Sequence, residues 1–192
     1  LASLHEGKGR LANNMTVINS IREILNVDLP LKNKSVLVTA GPTQEPIDEV
    51  RYISNRSSGK MGFAIAKSAR DLGANVTLIT GPTNLKNIPE INMHHIKTAD
   101  EMLKAVNHNL NVDYIIMNAA VADFRPSNIN SGKIKKNNEK MNVELSPTTD
   151  ILKSIRPNTQ AKVIGFALEM NNERNNALKK MNSKGLDFII LN

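Results

Sequence analysis

A short run of hydroxylated and small residues with one lysine has the composition of an anion site. The residues of this run are Ser57, Ser58, Gly59, Lys60 and Gly62, and they open directly into a predicted helix. Backbone N–H groups at a helix start, serine hydroxyls and the positive end of the helix dipole together attract phosphate or carboxylate. The alternative is an ordinary serine-capped helix whose glycines serve close packing.

Known phosphate-binding motifs do not match this run. It is not a P-loop, because Ser54 stands where the first glycine belongs and Met61 replaces the hydroxyl residue that holds magnesium. It is not the G-x-G-x-x-G fingerprint of dinucleotide-binding proteins either. Three more polar side chains, Arg51, Asn55 and Arg56, precede the turn. So many polar side chains favour an anion site over a capping motif alone.

A second group of small residues follows another predicted strand and ends in an acid. In the run 118–123 the alanines would let a planar ring approach the backbone, and Asp123 could accept hydrogen bonds from ribose hydroxyls. A turn with an aspartate cap is the alternative. A long basic loop comes next, in which Lys133, Lys135 or Lys136 could neutralise a triphosphate as the loop closes. A solvated charge run is the alternative there.

The last candidate group follows the run 163–167. Glu169 could be a magnesium ligand or an acid favoured by a helix dipole, and Lys180 and Lys184 lie one helical turn apart beyond it. The four histidines show no metal-binding spacing and pair with no evident acid, so we expect them at the surface or in packing. The metal ligands therefore stay unassigned.

The composition limits the classes of protein to consider. The 192 residues are 40% hydrophobic and 22% charged, as expected for one globular domain or a domain with a fragment. No apolar stretch approaches the ~20 residues of a membrane span. The absence of Cys excludes disulfides, thiolate zinc sites and cysteine nucleophiles. The formal charge of +7 favours anionic partners, and aromatic residues at 3% favour small anions over nucleic acid.

Alternating strands and helices are predicted to position these groups. Apolar, β-branched runs indicate strands at 35–39, 75–80, 114–117, 163–167 and 187–191, and helical spacing indicates helices at 59–72, 99–110 and 173–183. This alternation predicts a Rossmann-like, doubly wound α/β fold with a mostly parallel sheet and helices on both faces. Ligands bind beyond the carboxyl ends of such strands, so the loops after Thr39, Thr80, Met117 and Ala167 should hold the site.

The chain is predicted to divide near Lys32. Helical spacing over 18–25 ends before Pro30, and the strand pattern starts a few residues later. The segment 124–149 is long and polar for a connection inside a compact domain, and such loops are usually lids or disordered. Because the chain begins with Leu1 and lacks the apolar centre of a signal peptide, we expect it to be a piece of a longer protein.

Several motifs together resemble one enzyme family. They stand in family order between residues 34 and 192: TAGPT at 39–43, PID at 46–48, VRYISN at 50–55, SSGKMG at 57–62, AAVAD at 119–123 and KIKK at 133–136. This set closely resembles phosphopantothenoylcysteine synthetase, the ligase half of the bacterial bifunctional coenzyme A biosynthesis protein. Residues 2–12 resemble, more weakly, the end of the flavin-dependent decarboxylase that precedes the ligase in that polypeptide.

The resemblance implies a two-step ligation that uses CTP. The carboxylate of phosphopantothenate attacks the α-phosphate of CTP, which gives an acyl-cytidylate and pyrophosphate. The amine of L-cysteine then attacks the acyl carbon and releases CMP, while Mg²⁺ offsets the charge of the triphosphate. FMN belongs only to the missing decarboxylase domain, and Ser3 stands where the family usually has its catalytic cysteine. Decarboxylation is therefore not expected of this chain.

The resemblance also implies roles for individual residues. Asn55 would bind and orient the acyl-cytidylate, Arg51 would help to hold the substrate, and Lys133 would close over the nucleotide and stabilise developing negative charge. Asp123 would bind ribose. The other residues implied for nucleotide and substrate binding are Gly41, Thr43, Ser57, Ser58, Gly59, Lys60, Gly62, Ala119, Ala120, Lys136, Phe166, Lys180 and Lys184.

The same resemblance implies a domain division and partners. Residues 1–31 would be the tail of the decarboxylase domain with a linker, and residues 32–192 would be the ligase domain, incomplete at its C-terminus. The expected partners are phosphopantothenate, L-cysteine and CTP, with a homodimer formed through the ligase domain and a larger assembly in the bifunctional protein. Neither nucleic acid nor a membrane is expected, and the expected location is the cytoplasm.

Two other classes of protein stay open. An NAD(P)-binding Rossmann oxidoreductase would share the fold, but it should show a tighter glycine fingerprint after Thr39 and usually a Tyr-x-x-x-Lys pair. Neither Tyr52 nor Tyr114 has a lysine four residues on. A basic nucleic-acid-binding module should show a clustered basic face with stacking aromatic residues. An ATP-using relative would present the same phosphate-binding loops, so the choice of nucleotide also stays open.

Overall fold

A computed structural model of the chain describes residues 12–25, 29–136, 140–168 and 172–191. The chain forms two units, Leu1–Pro30 and Leu31–Asn192. In the first unit, helix α1 (Asn14–Ile24) begins after Asn13, whose side-chain oxygen accepts the N–H of Met15 at 2.8 Å. This cap explains why the helix starts before the apolar spacing from which the sequence predicted it. Ser3 and most of the segment 2–12 lie outside the described residues.

The second unit contains the strands and the remaining helices. In chain order its strands are β1 (Ser35–Ala40), β2 (Gln44–Pro46), β3 (Tyr52–Ser54), β4 (Asn75–Thr80), β5 (Asn92–His95), β6 (Tyr114–Met117), β7 (Phe124–Pro126), β8 (Leu145–Pro147), β9 (Lys162–Ala167) and β10 (Phe188–Leu191). Its helices are α2 (Lys60–Asp71), α3 (Ala99–Asn107), α4 (Ile151–Ile155) and α5 (Glu173–Lys184), and a 3₁₀ turn, Arg156–Asn158, follows α4.

Six parallel strands form the central sheet in the order β10-β9-β6-β1-β4-β5. Strand β1 lies between β4 and β6, so that Val38 has Leu78 and Ile116 as its register partners. The chain builds the sheet outward in one direction from β1 to β5 and then in the other direction from β6 to β10. This is the doubly wound order, and its switch point lies between the carboxyl ends of β1 and β6.

Helices cover both faces of the sheet, as the sequence predicted. Alternate residues of β1 point to opposite faces, because side chains alternate along a strand. Val36 and Val38 pack in a cluster with Phe63 of α2. Leu37 belongs to a second cluster on the opposite face, with Met102 of α3 and residues of α4. The inner strands of the parallel sheet are apolar on both sides for this reason.

Some elements were not predicted from the sequence. Strand β5 at the sheet edge is short and polar, and β2 pairs with β3, and β7 with β8, in two small antiparallel sheets. Strands β7 and β8 lie inside the segment 124–149, so this segment is partly built into the fold. Within the described ranges, no helix has both the length and the hydropathy that a membrane span requires.

Candidate functional site

The loops after β1 and β6 meet at the switch point through backbone hydrogen bonds. The N–H of Ala120 donates to the carbonyl oxygen of Gly41 at 2.9 Å, and the N–H of Thr43 donates to the carbonyl oxygen of Ala120 at 3.3 Å. The buried hydroxyl of Thr43 accepts the N–H of Ala122 at 3.0 Å. Four residues predicted from the sequence, Gly41, Thr43, Ala119 and Ala120, therefore lie together here.

Glycines make this close approach of loops possible. A Cβ atom on Gly62 would lie 2.5 Å from the Cβ of Ala40, so only glycine lets the first turn of α2 pack against the end of β1. A Cβ atom on Gly81 would lie 1.6 Å from the carbonyl oxygen of Pro42. The loop after β4 therefore crosses the loop after β1 at backbone contact distance. The sequence singled out this third loop but no residue in it.

Asn55 ties the segment after β3 to the loop after β6. Its side-chain nitrogen donates to the carbonyl oxygens of Ala120 at 3.3 Å and Val121 at 2.9 Å. The neighbouring Ser54 hydroxyl donates to the carbonyl oxygen of Thr43 at 2.7 Å. The Asn55 side chain is exposed, and its oxygen accepts no hydrogen bond from the residues that the structure describes. That oxygen is therefore available to a ligand.

A cleft of about 400 Å³ opens at the start of α2. The N-cap of α2 is Gly59, with φ of 74°, and it has no side chain to cap the helix. The two serines before it accept long hydrogen bonds instead, Ser57 from the N–H of Gly59 at 3.4 Å and Ser58 from the N–H of Lys60 at 3.5 Å, so the serine cap considered from the sequence is partly present. The first N–H groups of a helix have no partner inside it. The cleft is lined by Gln44, Ser57, Ser58, Lys60, Pro82, Thr83, Asn84 and Leu85.

A buried carboxylate that was not predicted for the site from the sequence connects the β2–β3 turn with the basic loop. Asp48 is 3% exposed and accepts the N–H groups of Val50 at 2.8 Å, Arg51 at 2.7 Å and Ile134 at 3.1 Å. Burial by itself raises the pKa of Asp48, but these N–H groups and the charge of Arg51 outweigh it and lower the pKa below its ordinary value. Asp48 is thus held as a carboxylate.

Arg51 is engaged by the protein on both of its terminal nitrogens. One donates to Asp48 Oδ2 at 3.0 Å and the other to the carbonyl oxygen of Ile134 at 3.1 Å. The role implied for Arg51 in holding substrate stays a prediction. What the structure shows is that its guanidinium helps to dock the basic loop.

The basic loop is attached to the β2–β3 turn at several points. The N–H of Asn130 donates to the carbonyl oxygen of Ile47 at 3.0 Å, and the N–H of Gly132 donates to Glu49 Oε1 at 3.2 Å. The exposed lysines of this loop form no ion pair within the described ranges. These cations are Lys133, Lys135 and Lys136.

Asp123 presents a free carboxylate beside the meeting loops. Its side chain is exposed and caps no turn, and within residues 12–25, 29–136, 140–168 and 172–191 nothing donates to its carboxylate. Its backbone carbonyl accepts the N–H of Thr148 at 2.9 Å, and the hydroxyl of Thr148 donates to the carbonyl oxygen of Ala122 at 2.6 Å. The backbone is therefore fixed while the side chain stays free to accept hydrogen bonds.

The two lysines predicted on α5 are held by protein groups. Lys180 donates to the carbonyl oxygen of Phe166 at 2.8 Å, at the carboxyl end of β9. Lys184 forms an ion pair with Asp150, the N-cap of α4. The structure does not bring either lysine to the cleft, and their implied roles stay predictions. Glu169 lies outside the described residues.

The described part of the chain contains no group of three or more His, Cys, Asp or Glu residues that could hold a metal ion. Mg²⁺ usually keeps several waters and is bound through one or two carboxylates together with substrate phosphates. A magnesium ion at this site would therefore be held by a phosphorylated ligand and water, with no protein ligand assigned. A dedicated protein cage is not present among these residues.

The sheet order and the loops at its switch point define a Rossmann-like α/β protein. Residues 31–192 match the family described as DFP, the DNA/pantothenate metabolism flavoprotein C-terminal domain. The chain belongs to this family. The C-terminal domain of the coenzyme A biosynthesis bifunctional protein CoaBC, known from a crystal structure, matches with 41% identity and a TM-score of 0.76 over 86% of this chain and 79% of that chain.

Curated relatives are similar along the whole chain. CoaBC of Borreliella burgdorferi is 46% identical over 200 residues, which cover 100% of this chain and 50% of the relative. A protein named cysteine/cysteine sulfinic acid decarboxylase, from an unknown prokaryotic organism, is 41% identical over 201 residues, which cover 100% of this chain and 56% of that protein. The chain thus spans about half the length of these relatives.

Proposed function

We propose that this chain acts in coenzyme A biosynthesis as a ligase that joins phosphopantothenate to L-cysteine at the expense of CTP. The observation that carries the proposal is the meeting of three loops at the switch point, where Asn55 is fixed by the carbonyl oxygens of Ala120 and Val121. Membership of the DFP family and similarity to CoaBC proteins support it. The enzyme class, ligase, and the co-substrates L-cysteine and CTP are all part of this proposal.

In the first step, the substrate carboxylate attacks the α-phosphate of CTP and pyrophosphate leaves. The free carboxylate of Asp123 accepts the ribose hydroxyls. Ser57, Ser58 and Lys60 and the start of α2 face the phosphates from the cleft, where helix-end N–H groups and the helix dipole favour negative charge. A magnesium ion bound with the nucleotide would supply further positive charge against the phosphates.

In the second step, the cysteine amine attacks the acyl carbon of the acyl-cytidylate and CMP leaves. The free side-chain oxygen of Asn55 is placed to orient this intermediate, because the amide nitrogen already fixes the side chain. Lys133 brings a cation from the basic loop to the negative charge that develops. The glycines at the loop crossing keep the backbone close to the bound groups.

Nucleotide binding tests the proposal directly. Calorimetry in the presence of Mg²⁺ compares CTP, ATP and NADPH on this chain and on Asp123→Ala, with Asp113→Ala at the opposite end of β6 as the matched control. We expect CTP to bind, Asp123→Ala to weaken it by about tenfold, as for the loss of hydrogen bonds to a charged group, and the control to leave it unchanged. Preference for NADPH would identify an oxidoreductase instead.

A ligation assay completes the test. Formation of CMP and pyrophosphate is followed with phosphopantothenate and L-cysteine, and the cysteine-dependent step is isolated by adding cysteine last. We expect pyrophosphate before cysteine is added and CMP only afterwards. CO₂ release from cysteine, the activity named for one relative, is measured in parallel and is expected to be absent.

The homodimer implied by the resemblance is checked by the mass of the particle in solution.

A further inference from the structure

The peptide group that follows Lys133 is held at both of its polar atoms. The N–H of Ile134 donates to Asp48 Oδ2 at 3.1 Å, and the carbonyl oxygen of Ile134 accepts from Arg51 at 3.1 Å. Asp48 Oδ2 also accepts from the same guanidinium at 3.0 Å. Two residues three positions apart therefore grip one residue of the basic loop, more than eighty positions further along the chain.

We infer that Asp48 is a positioning residue whose carboxylate fixes the Lys133–Ile134 peptide and thereby sets where the Lys133 ammonium can reach. The inference rests on the proposed function, in which Lys133 brings a cation to the nucleotide. Consecutive Cα atoms are about 3.8 Å apart, so the grip on Ile134 restrains the backbone of Lys133 directly. The exposed lysine side chain keeps its own rotational freedom.

The two carboxylate oxygens of Asp48 accept hydrogen bonds from different sets of donors. Oδ1 accepts the N–H groups of Val50 and Arg51 and so holds the local turn, whereas Oδ2 accepts from Ile134 and from the Arg51 guanidinium. Asp48→Asn can keep an oxygen toward the turn while its NH₂ group faces two donors. This variant therefore removes the grip on the basic loop and preserves the β2–β3 turn.

Limited proteolysis with trypsin measures how firmly Asp48 holds the Lys133–Ile134 peptide, and it needs no ligand. The bond it cuts after Lys133 is the one whose N–H Asp48 accepts, and cleavage requires this segment to open locally. We expect Asp48→Asn to speed cleavage after Lys133 by about tenfold or more, the factor for a lost hydrogen bond to a charged group. Cleavage after Lys140, outside the grip, is the internal reference and should change little.

Asp113→Asn is the matched control variant. Its carboxylate also accepts hydrogen bonds from a backbone N–H and from side-chain donors, here two of them, at the other end of the sheet. Any general loss of stability accelerates both trypsin sites together in either variant. Selective acceleration at Lys133 in Asp48→Asn alone supports the inference, and equal acceleration at both sites overturns it.

Measurements of kcat then test whether Asp48 acts through Lys133. We expect Asp48→Asn to lower kcat for CTP-dependent ligation by up to about 100-fold, since a displacement of about 1 Å has that effect on catalysis. In a Lys133→Met background the same substitution should change kcat by no more than about twofold, because its route of action is gone. A full additional loss in that background would show that Asp48 acts by a route other than Lys133, through Arg51 or through the fold, and overturn the inference.

The two proposals fail in different ways. If the unmodified chain shows no ligation and no CTP binding, the proposed function is wrong, and the inference falls with it as a statement about catalysis. If ligation is present but trypsin and kcat respond to Asp48→Asn as they do to Asp113→Asn, the proposed function stands and only the positioning role is wrong.

Discussion

Gly59 shows how a single residue type shapes the candidate site. It has a φ of 74° at the start of α2, a conformation that costs other residues about 1–2 kcal/mol. A Cβ atom there would also lie 2.7 Å from Cγ2 of Thr83 across the cleft. Gly132 has nearly the same φ, 76°, but a Cβ atom would meet nothing within 4 Å. A comparison of Gly59 with Gly132 therefore separates the cost of the positive φ from the cost of the steric contact with Thr83.

We predict that Gly59→Ala lowers the free energy of unfolding more than Gly132→Ala does. Both variants carry the conformational cost, and only the first adds overpacking, which typically costs about 1–3 kcal/mol. Adding Thr83→Ser to Gly59→Ala removes the methyl group in conflict and should recover most of the difference. Urea denaturation of the four proteins measures this. Equal losses in both single variants would contradict the contact with Thr83.

The sequence predicted which residues belong to the site better than it predicted which residues they contact. The family resemblance implied Gly41, Thr43, Ala119 and Ala120 for the site, and the structure places them together. Asp48 was not selected, although it stands within a motif that carried the family resemblance. Its proposed role depends on the N–H donated by Ile134, which is 86 residues further along the chain. No local sequence pattern predicts a contact between residues so far apart.

At the scale of elements, aspartates join the starts of neighbouring parallel strands. Asp113, just before β6, accepts the N–H of Ser35 in β1 at 2.8 Å, and Asp187, just before β10, accepts the N–H of Val163 in β9 at 2.8 Å. Each aspartate also faces a lysine from the neighbouring strand's start, Lys34 or Lys162. The same arrangement thus occurs twice in the sheet, once between β6 and β1 and once between β10 and β9.

We predict that the stabilising effect of Asp113 disappears in acid. Hydrogen bonds from the N–H and hydroxyl of Ser35, with Lys34, lower the pKa of Asp113 to about 2. An unfolded aspartate has a pKa of about 3.9. Because the folded pKa is the lower one, the contribution is complete above about pH 4 and is lost as the pH falls towards about 2.

Urea denaturation at neutral pH and at about pH 2.5 measures this effect as a difference between the unmodified chain and Asp113→Asn. The variant should be less stable at neutral pH, and the difference should shrink in acid. Other carboxylates titrate in both proteins and largely cancel. Asp123→Asn is the control, because no described residue donates to that carboxylate. A difference that stays constant from neutral to acid would contradict the prediction.

Buried apolar strands were predicted closely, whereas polar edge strands and three-residue strands were not. β4 and β6 have the predicted bounds, because buried parallel strands form continuous β-branched runs. β5 is an edge strand of four residues that needs apolar character on few positions. β2 and β3 have three residues each, too few to show a period. Their pairing depends on where β1 ends, which is a property of the folded chain.

At the scale of the whole molecule, both hydrophobic clusters draw their members from residue 31 onward. No residue of α1 is buried. The sequence placed the domain start at Lys32, and the unit defined by contacts starts at Leu31. Leu31 donates its N–H to the carbonyl oxygen of Leu72 at 3.1 Å and packs against the cluster under α2. One residue therefore separates the two definitions, and it has a structural role.

We predict that residues 31–192 fold on their own with the free energy of unfolding of the whole chain, to within about 0.5 kcal/mol. A chain of residues 35–192 should lose about 1–3 kcal/mol, because it lacks the packing of Leu31 and the Lys34 carbonyl that accepts the N–H of Asn75 at 2.8 Å. Thermal and urea denaturation of the three chains measures both differences. If residues 31–192 lose as much as residues 35–192, the segment before Leu31 contributes to the stability of the sheet unit and the boundary is wrong. If neither shortened chain loses stability, Leu31 has no part in the core, and the domain starts with β1 itself.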